Sequence, residues 1–206
     1  VLLYTGSEGV FTAGNDLHDF LNNPPSGPTS PVNRFIANMA STDVPIVAAV
    51  DGAAVGIGTT MLLHFDHVFA TDRAKFSLPF INLGLVPEAG SSMLLVEACG
   101  YRKAADLLML GEPFTAQQAL EYGIVSQLCQ PHELMERALA AAHGLAAKPR
   151  DALRATKRLL RRPAEPLSER ILAEGKLFAH CLESPTAREA MSAFFEKRAP
   201  NFKPFD

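Results

Sequence analysis

Pro45 to Thr60 reads PIVAAVDGAAVGIGTT. The run from Pro45 to Val50 is uncharged, rich in β-branched residues, and closed by Asp51 and Gly52. That pattern describes a strand buried on both faces. A glycine-rich bend follows from Asp51 to Gly58, and Thr59–Phe65 has the apolar spacing of a buried helix. A strand, a bend and a helix start in succession aim unpaired backbone N–H groups at one spot. The glycines Gly52, Gly56 and Gly58 have the wrong spacing for a dinucleotide-binding loop, and no Gly-Lys-Ser/Thr phosphate loop is present. Tight helix–strand packing is the other use for glycines so placed.

Working outward, the pattern repeats. Val1–Thr5 is an apolar run ended by Gly6 and reads as a central strand. Small residues from Phe11 to Asn15 allow close backbone approach, and Asp16 is placed to cap a short helix running to Leu21. Asn22 to Pro31 contains four prolines and reads as a loop. Val32–Ser41 has helical spacing. His67–Ala70 and Lys75–Leu78 are short strands, and Ser91 and Ala104 begin helices ending near Gly100 and Leu110. Thr115 and Gln118 form a capping box, and Ile124–Leu128 reads as a last, isolated strand. From Pro131 onward only helical periodicity remains, over His132–Ala147, Arg150–Arg162, Leu167–Leu182 and Thr186–Arg198, with Thr186 and Glu189 spaced as a second capping box. The expected organisation is an α/β core over residues 1–130 and a helical region over 131–206.

One carboxylate stands alone in the stretch FSLPFINLGLVPEAGSS, Phe76 to Ser92. Glu88 is its sole charged residue, with Leu83, Leu85, Val86 and Pro87 before it and Ala89, Gly90 and two serines after. A carboxylate among apolar residues, just ahead of a helix start, has either a capping role or a chemical one. Removal from water raises a carboxyl pKa toward neutrality, which suits a general base.

The totals narrow the field. The chain has 206 residues, 48% hydrophobic and 20% charged, an ordinary globular composition. A net charge of -3 gives no footprint for nucleic acid or an anionic membrane. Every apolar run is interrupted before membrane-spanning length. Cys99, Cys129 and Cys181 are widely spaced, as in reduced, buried thiols of a cytoplasmic protein, and no cysteine or histidine pairing suits a metal. The basic residues Lys157, Arg158, Arg161 and Arg162 lie along one helix and read first as a solvated face, with contact to phosphates as the alternative.

The motifs, taken in order, identify a family. Gly-x-Phe-x-Ala-Gly-x-Asp-Leu runs from Gly9 to Leu17, and Pro-Ile-Val-Ala-Ala-Val-x-Gly-x-Ala-x-Gly-x-Gly from Pro45 to Gly58. Asp66, the Phe76–Pro79 and Leu83–Pro87 segments, and Glu196, Lys197 and Arg198 follow. The chain resembles the crotonase superfamily of enoyl-CoA hydratases and isomerases over nearly its whole length. The resemblance implies a crotonase (ClpP-like) spiral of β–β–α turns with a helical C-terminal trimerisation region, and about 50 further residues ahead of Val1. It also implies an acyl-CoA thioester substrate, with no cofactor beyond the coenzyme A that the substrate carries, no metal, and a homotrimer or dimer of trimers.

Residue by residue, the resemblance places the two backbone donors of an oxyanion hole at Asn15 and Ile57. Main-chain donors tolerate any side chain. Ala13 matches a residue whose backbone meets the adenine. Asn15, Asp16, Leu17 and Ile57 complete the CoA-facing set of this subunit. Phe194 and Lys197 match positions that reach a neighbouring subunit's CoA. The family's hydratases use two glutamates, and their positions here are Thr60 and Phe80, neither able to act as a base. Glu88 instead matches the single catalytic base of the peroxisomal-type Δ3,Δ2-enoyl-CoA isomerases. The expected activity is therefore a one-base 1,3-proton shift, with a hydratase or other acyl-CoA enzyme, or a non-catalytic acyl-CoA-binding protein, as alternatives.

Overall fold

The computed structural model describes residues 1–7 and 9–205. Strands and short helices alternate through the first part of the chain: β1 (Leu2–Thr5), β2 (Val10–Thr12), α1 (Leu17–Asn22), α2 (Pro31–Ser41), β3 (Ile46–Val50), β4 (Ala53–Val55) and α3 (Ile57–Thr60). Then come β5 (His67–Thr71), β6 (Lys75–Ser77), α4 (Ser91–Cys99), α5 (Tyr101–Ala105), β7 (Phe114–Thr115), α6 (Ala116–Glu121) and β8 (Gln127–Cys129). The helices α7 (Leu134–Ala146), α8 (Arg150–Leu160), α9 (Leu167–Leu182) and α10 (Pro185–Phe195) follow. The chain divides into two compact units, with the boundary inside α7 after Ala142 and with Asp43–Pro45 assigned to the second unit.

The first unit is built from β–β–α turns. Their strands are shared between a sheet ordered β1-β3-β5-β8 and a second sheet ordered β2-β4-β6-β7. All pairings are parallel apart from β6 with β7. Parallel sheets are covered on both faces, so their strands read as continuous apolar runs. β3 shows this most plainly, since all five of its residues are buried. The core of this unit joins Val50, Met61, Leu62, Phe76, Leu78, Leu95 and Phe114, with the Phe76 and Phe114 rings stacked at 5.6 Å.

Several expectations shift. Val1–Thr5 read as a central strand, yet β1 pairs on one side only among the described residues, and Leu2 is 44% exposed. An apolar run does not distinguish an edge strand from a central one when its partners lie far along the chain. The strand expected to be isolated, β8, pairs in parallel with β5 from Phe69↔Gln127 to Thr71↔Cys129. Inside the glycine-rich bend lies β4, which three small residues left unsignalled. The expected helix over Thr59–Phe65 is split between α3 and a 3-10 turn at Met61–His64.

In the second unit, Thr186 and Glu189 do not form a capping box. Ser184 caps α10 by accepting from the Ala187 N–H, while Glu189 holds Arg198 and the Asn201 N–H. Of the basic helix face, Arg158 and Arg162 are exposed as expected, and Lys157 is the exception. Lys157 is buried and donates to the Val44 carbonyl at 2.7 Å, and Arg154 and Arg158 pair with Asp43. Of the cysteines, Cys129 alone is fully buried, and all three are free thiols.

Candidate functional site

The first part of the site lies at the C-terminal ends of the paired parallel strands β2 and β4. Gly14 has φ 91°, and a Cβ there would meet the Val55 carbonyl oxygen at 2.8 Å. A Cβ on Gly58 would meet Thr12 Cγ2 at 2.5 Å. Glycine at both positions is therefore what lets the Ala13–Asn15 segment close on the start of α3. Asn15 is not itself left-handed; Gly14, whose N–H donates to Thr12 Oγ1, takes that conformation. Asp16 caps α1, its carboxylate accepting from the His18 and Asp19 N–H groups, while Ala13 and Leu17 are exposed.

Ile57 is the first residue of α3, so its N–H has no acceptor inside the helix. The preceding peptide is fixed from both sides. Gly56, at φ 55°, donates its N–H to the Ser77 carbonyl, and its own carbonyl accepts from the Thr59 and Thr60 N–H groups. Thr59 Oγ1 donates to the Ala54 carbonyl at 2.6 Å, fastening the helix to β4. The two expected backbone donors are thus carried by adjacent loops of one framework.

Glu88 joins this framework through α3. The fully buried Thr60 donates its hydroxyl hydrogen to Glu88 Oε1 in a short hydrogen bond. The other carboxylate oxygen, Oε2, is buried and has no hydrogen-bond partner among the described residues. Burial pushes the Glu88 carboxyl above its ordinary pKa, and the Thr60 hydrogen bond opposes that rise. A buried acceptor left unpaired costs free energy, more so when charged.

Glu88 does not cap α4. That helix starts after Gly90, which is left-handed and offers no side chain, and the Glu88 carboxylate points to Thr60 instead. Its backbone is held separately. The Glu88 carbonyl accepts from Ser91 Oγ at 2.7 Å and from the Ser91 N–H. Ala89 sits at φ 54°, a conformation non-glycine residues rarely adopt. The Ala89 carbonyl meets His64 Nε2 at 2.7 Å, and a carbonyl only accepts, so the ring presents Nε2–H there.

The source of the dry environment differs from the sequence reading. Leu83, Leu85 and Val86 are 48%, 45% and 81% exposed, so Glu88's apolar chain neighbours do not enclose it. The side-chain contact to its carboxylate comes from Thr60 on α3, far back in the chain. Phe80, at the other position where the family's hydratases carry an acid, is buried in the core. Neither the hydroxyl of Thr60 nor the ring of His64 has a local signature in the sequence that points to Glu88.

Phe194 and Lys197 belong to the second unit. Phe194 is 79% exposed and meets the equally exposed Phe195 edge-on. Lys197, at φ 56°, closes α10: its N–H donates to the Phe194 carbonyl and the Arg198 N–H to the Ala193 carbonyl, a Schellman arrangement. Among the described residues no group of acids, histidines and cysteines is placed to hold a metal ion, and no helix is long and apolar enough to cross a membrane.

Comparison with known proteins adds independent support. The family model described as "Enoyl-CoA hydratase/isomerase" matches residues 1–204. The 2,3-dehydroadipyl-CoA hydratase of Escherichia coli K12 is 34% identical over 205 residues, 98% of this chain and 80% of that protein. A solved structure from Magnetospirillum magneticum AMB-1, described as an enoyl-CoA hydratase/carnithine racemase, superposes with a TM-score of 0.93 at 48% identity, covering 97% of this chain and 79% of that one. The human protein named enoyl-CoA delta isomerase 2 is 31% identical over 169 residues, 79% of this chain and 43% of that protein.

Proposed function

Because the chain belongs to the enoyl-CoA hydratase/isomerase family and adopts the crotonase fold, we propose that it is a Δ3,Δ2-enoyl-CoA isomerase using Glu88 as its one base. The observation that carries this reading is the Glu88 carboxylate, with one oxygen held by Thr60 and the other buried and unpaired. The 3-enoyl thioester binds with its carbonyl oxygen on the Asn15 and Ile57 N–H groups. Glu88 removes a proton from C2, and the electrons pass into a dienolate whose negative charge rests on that oxygen. Return of the proton to C4 leaves the double bond between C2 and C3.

Hydration needs a second acid–base group to deliver and orient water. Thr60 and Phe80 occupy the two positions where the family's hydratases carry glutamates, and neither ionises at neutral pH. Positioned base catalysis contributes about 10²–10⁴-fold, so its loss is easily measured. The name of the human delta isomerase relative agrees with this reading, and that of the bacterial dehydroadipyl-CoA hydratase favours hydration. Incubation with 3-enoyl-CoA and with 2-enoyl-CoA separates them. Isomerisation lost in Glu88→Gln supports the proposal; efficient hydration that survives the substitution defeats it. Thioester binding without turnover of either substrate points to a non-catalytic acyl-CoA-binding protein. In the subunit assembly proposed for this enzyme, a homotrimer or dimer of trimers, Phe194 and Lys197 reach a neighbour's CoA, while Ala13, Asp16 and Leu17 line the CoA of their own subunit.

A further inference from the structure

Thr60 is fully buried at the last position of α3, and its hydroxyl has one hydrogen to place. Two acceptors are within reach, Glu88 Oε1 in a short contact and the Ile57 carbonyl at 3.5 Å. The nearer acceptor takes the hydrogen, since a hydrogen bond weakens as it lengthens toward 3.5 Å. Thr60 has little freedom to turn away. Its β-branched side chain is stiff about χ1, and the neighbouring Thr59 hydroxyl anchors the helix to the Ala54 carbonyl. Glu88 is held from behind by Ser91 and, through Ala89, by His64. The carboxylate is thus fixed at both ends, with its two oxygens made unequal.

We propose that Thr60 is a positioning residue that occupies Glu88 Oε1 and so selects Oε2 as the proton carrier in both halves of the isomerisation. The inference rests on the one-base reading above and deepens it. Oε2 takes the C2 proton, and the C2–H electron pair enters the dienolate. The Oε2–H bond then breaks as its proton passes to C4, the C2=C3 double bond forms, and the carboxylate is restored. Oε1 accepts from Thr60 throughout, so the carboxyl need not rotate between the two transfers. The same hydrogen bond stabilises the charged form against burial and keeps the base ionised nearer neutrality. Burial and Thr60 account for the behaviour of the Glu88 carboxyl, and His64, with its ring on the Ala89 carbonyl, is the titratable side chain beside the turn.

Three variants test this: Thr60→Val, Thr60→Ala and Thr60→Ser. The first two lack the hydroxyl, and the alanine avoids any steric demand that could prevent the valine variant from folding. Two readouts are needed, the pH profile of kcat/KM with 3-enoyl-CoA and an infrared titration of the Glu88 carboxyl in the free protein, isolated by subtracting Glu88→Gln. Valine and alanine are expected to raise the carboxyl pKa and the acid limb together by about one pH unit, a tenfold change in the ionisation equilibrium. KM stays nearly unchanged, and serine restores wild-type behaviour. An unshifted infrared titration in the alanine variant, or a serine variant that behaves like alanine, overturns the role given to Thr60. The infrared readout needs no turnover. A wild-type protein inactive on 3-enoyl-CoA but with a Thr60-dependent carboxyl titration would defeat the isomerase reading alone.

Discussion

Glu88→Gln should stabilise this protein at neutral pH while removing its chemistry. The glutamine amide keeps an oxygen for the Thr60 hydroxyl and nearly the same volume, so the substitution isolates the charge on a carboxylate whose Oε2 is buried and unpaired. The amide NH2 is left buried and unpaired where Oε2 was, so what the substitution removes is the added cost of burying charge, about 1.4 kcal/mol for each pH unit by which burial raises the carboxyl pKa. For a chain of this length 1 kcal/mol moves Tm by about 2–4 °C, so the variant should melt several degrees above wild type at pH 7–8. The sign with pH follows from the raised folded-state pKa. Below the unfolded glutamate pKa of about 4.3, both states of the wild-type protein carry the proton and the difference vanishes. As pH rises from there to the folded-state value, the unfolded chain ionises first and wild-type stability falls relative to the variant. Above the folded-state value the gap is constant. Denaturant or thermal unfolding of both proteins between pH 4 and 8 measures this gap. A variant less stable than wild type at neutral pH, or a difference independent of pH, would refute the claim that Glu88 is held at a cost to the fold.

Other perturbations probe the framework around that carboxylate. Gly58→Ala puts a Cβ 2.5 Å from Thr12 Cγ2; overpacking of this kind costs about 1–3 kcal/mol and should lower both Tm and turnover, because the Ala13–Asn15 segment must withdraw from α3. His64→Phe removes the donor to the Ala89 carbonyl; its expected signature is a fall in kcat larger than any change in KM, measured by steady-state kinetics, as the Glu88 turn loosens. In the second unit, Arg198, followed by the Asn201 N–H, holds Glu189 at a pKa of about 2. That local stabilisation is present above the ordinary glutamate pKa and disappears as pH falls toward about 2. Protection of the Asn201 amide, its exchange rate measured against that of an unstructured amide at the same pH, should therefore fall over that acid range, and Glu189→Gln should show the reduced protection already at neutral pH.

The parts of this molecule legible in its sequence are those set by local chemistry. β3 was readable because a strand covered on both faces needs an unbroken apolar run, and Ile46–Val50 supplies one. The Asp16 cap and the Thr115–Gln118 capping box were readable because the accepting side chain and its N–H donor lie within three residues of each other. Glu88 stood out as a lone carboxylate ahead of a helix. What encloses it was not legible, since its apolar chain neighbours face outward and Thr60, brought in by α3, lies 28 residues away. The edge position of β1 and the pairing of β8 with β5 likewise depend on partners remote in the chain. Thr186 and Glu189 had the spacing of a capping box, yet Ser184 is nearer the helix start and Arg198 is the stronger partner for Glu189.

The one-base claim has a direct isotopic test. A 3-enoyl-CoA carrying deuterium at C2 is converted in ordinary water, and the 2-trans-enoyl-CoA product is examined for deuterium at C4. A single buried carboxylate that lifts the C2 proton and returns it at C4 should deliver a measurable fraction of that deuterium to C4, and Glu88→Gln should abolish the conversion. Product whose C4 hydrogen comes wholly from solvent, formed at a rate that survives Glu88→Gln, would contradict it.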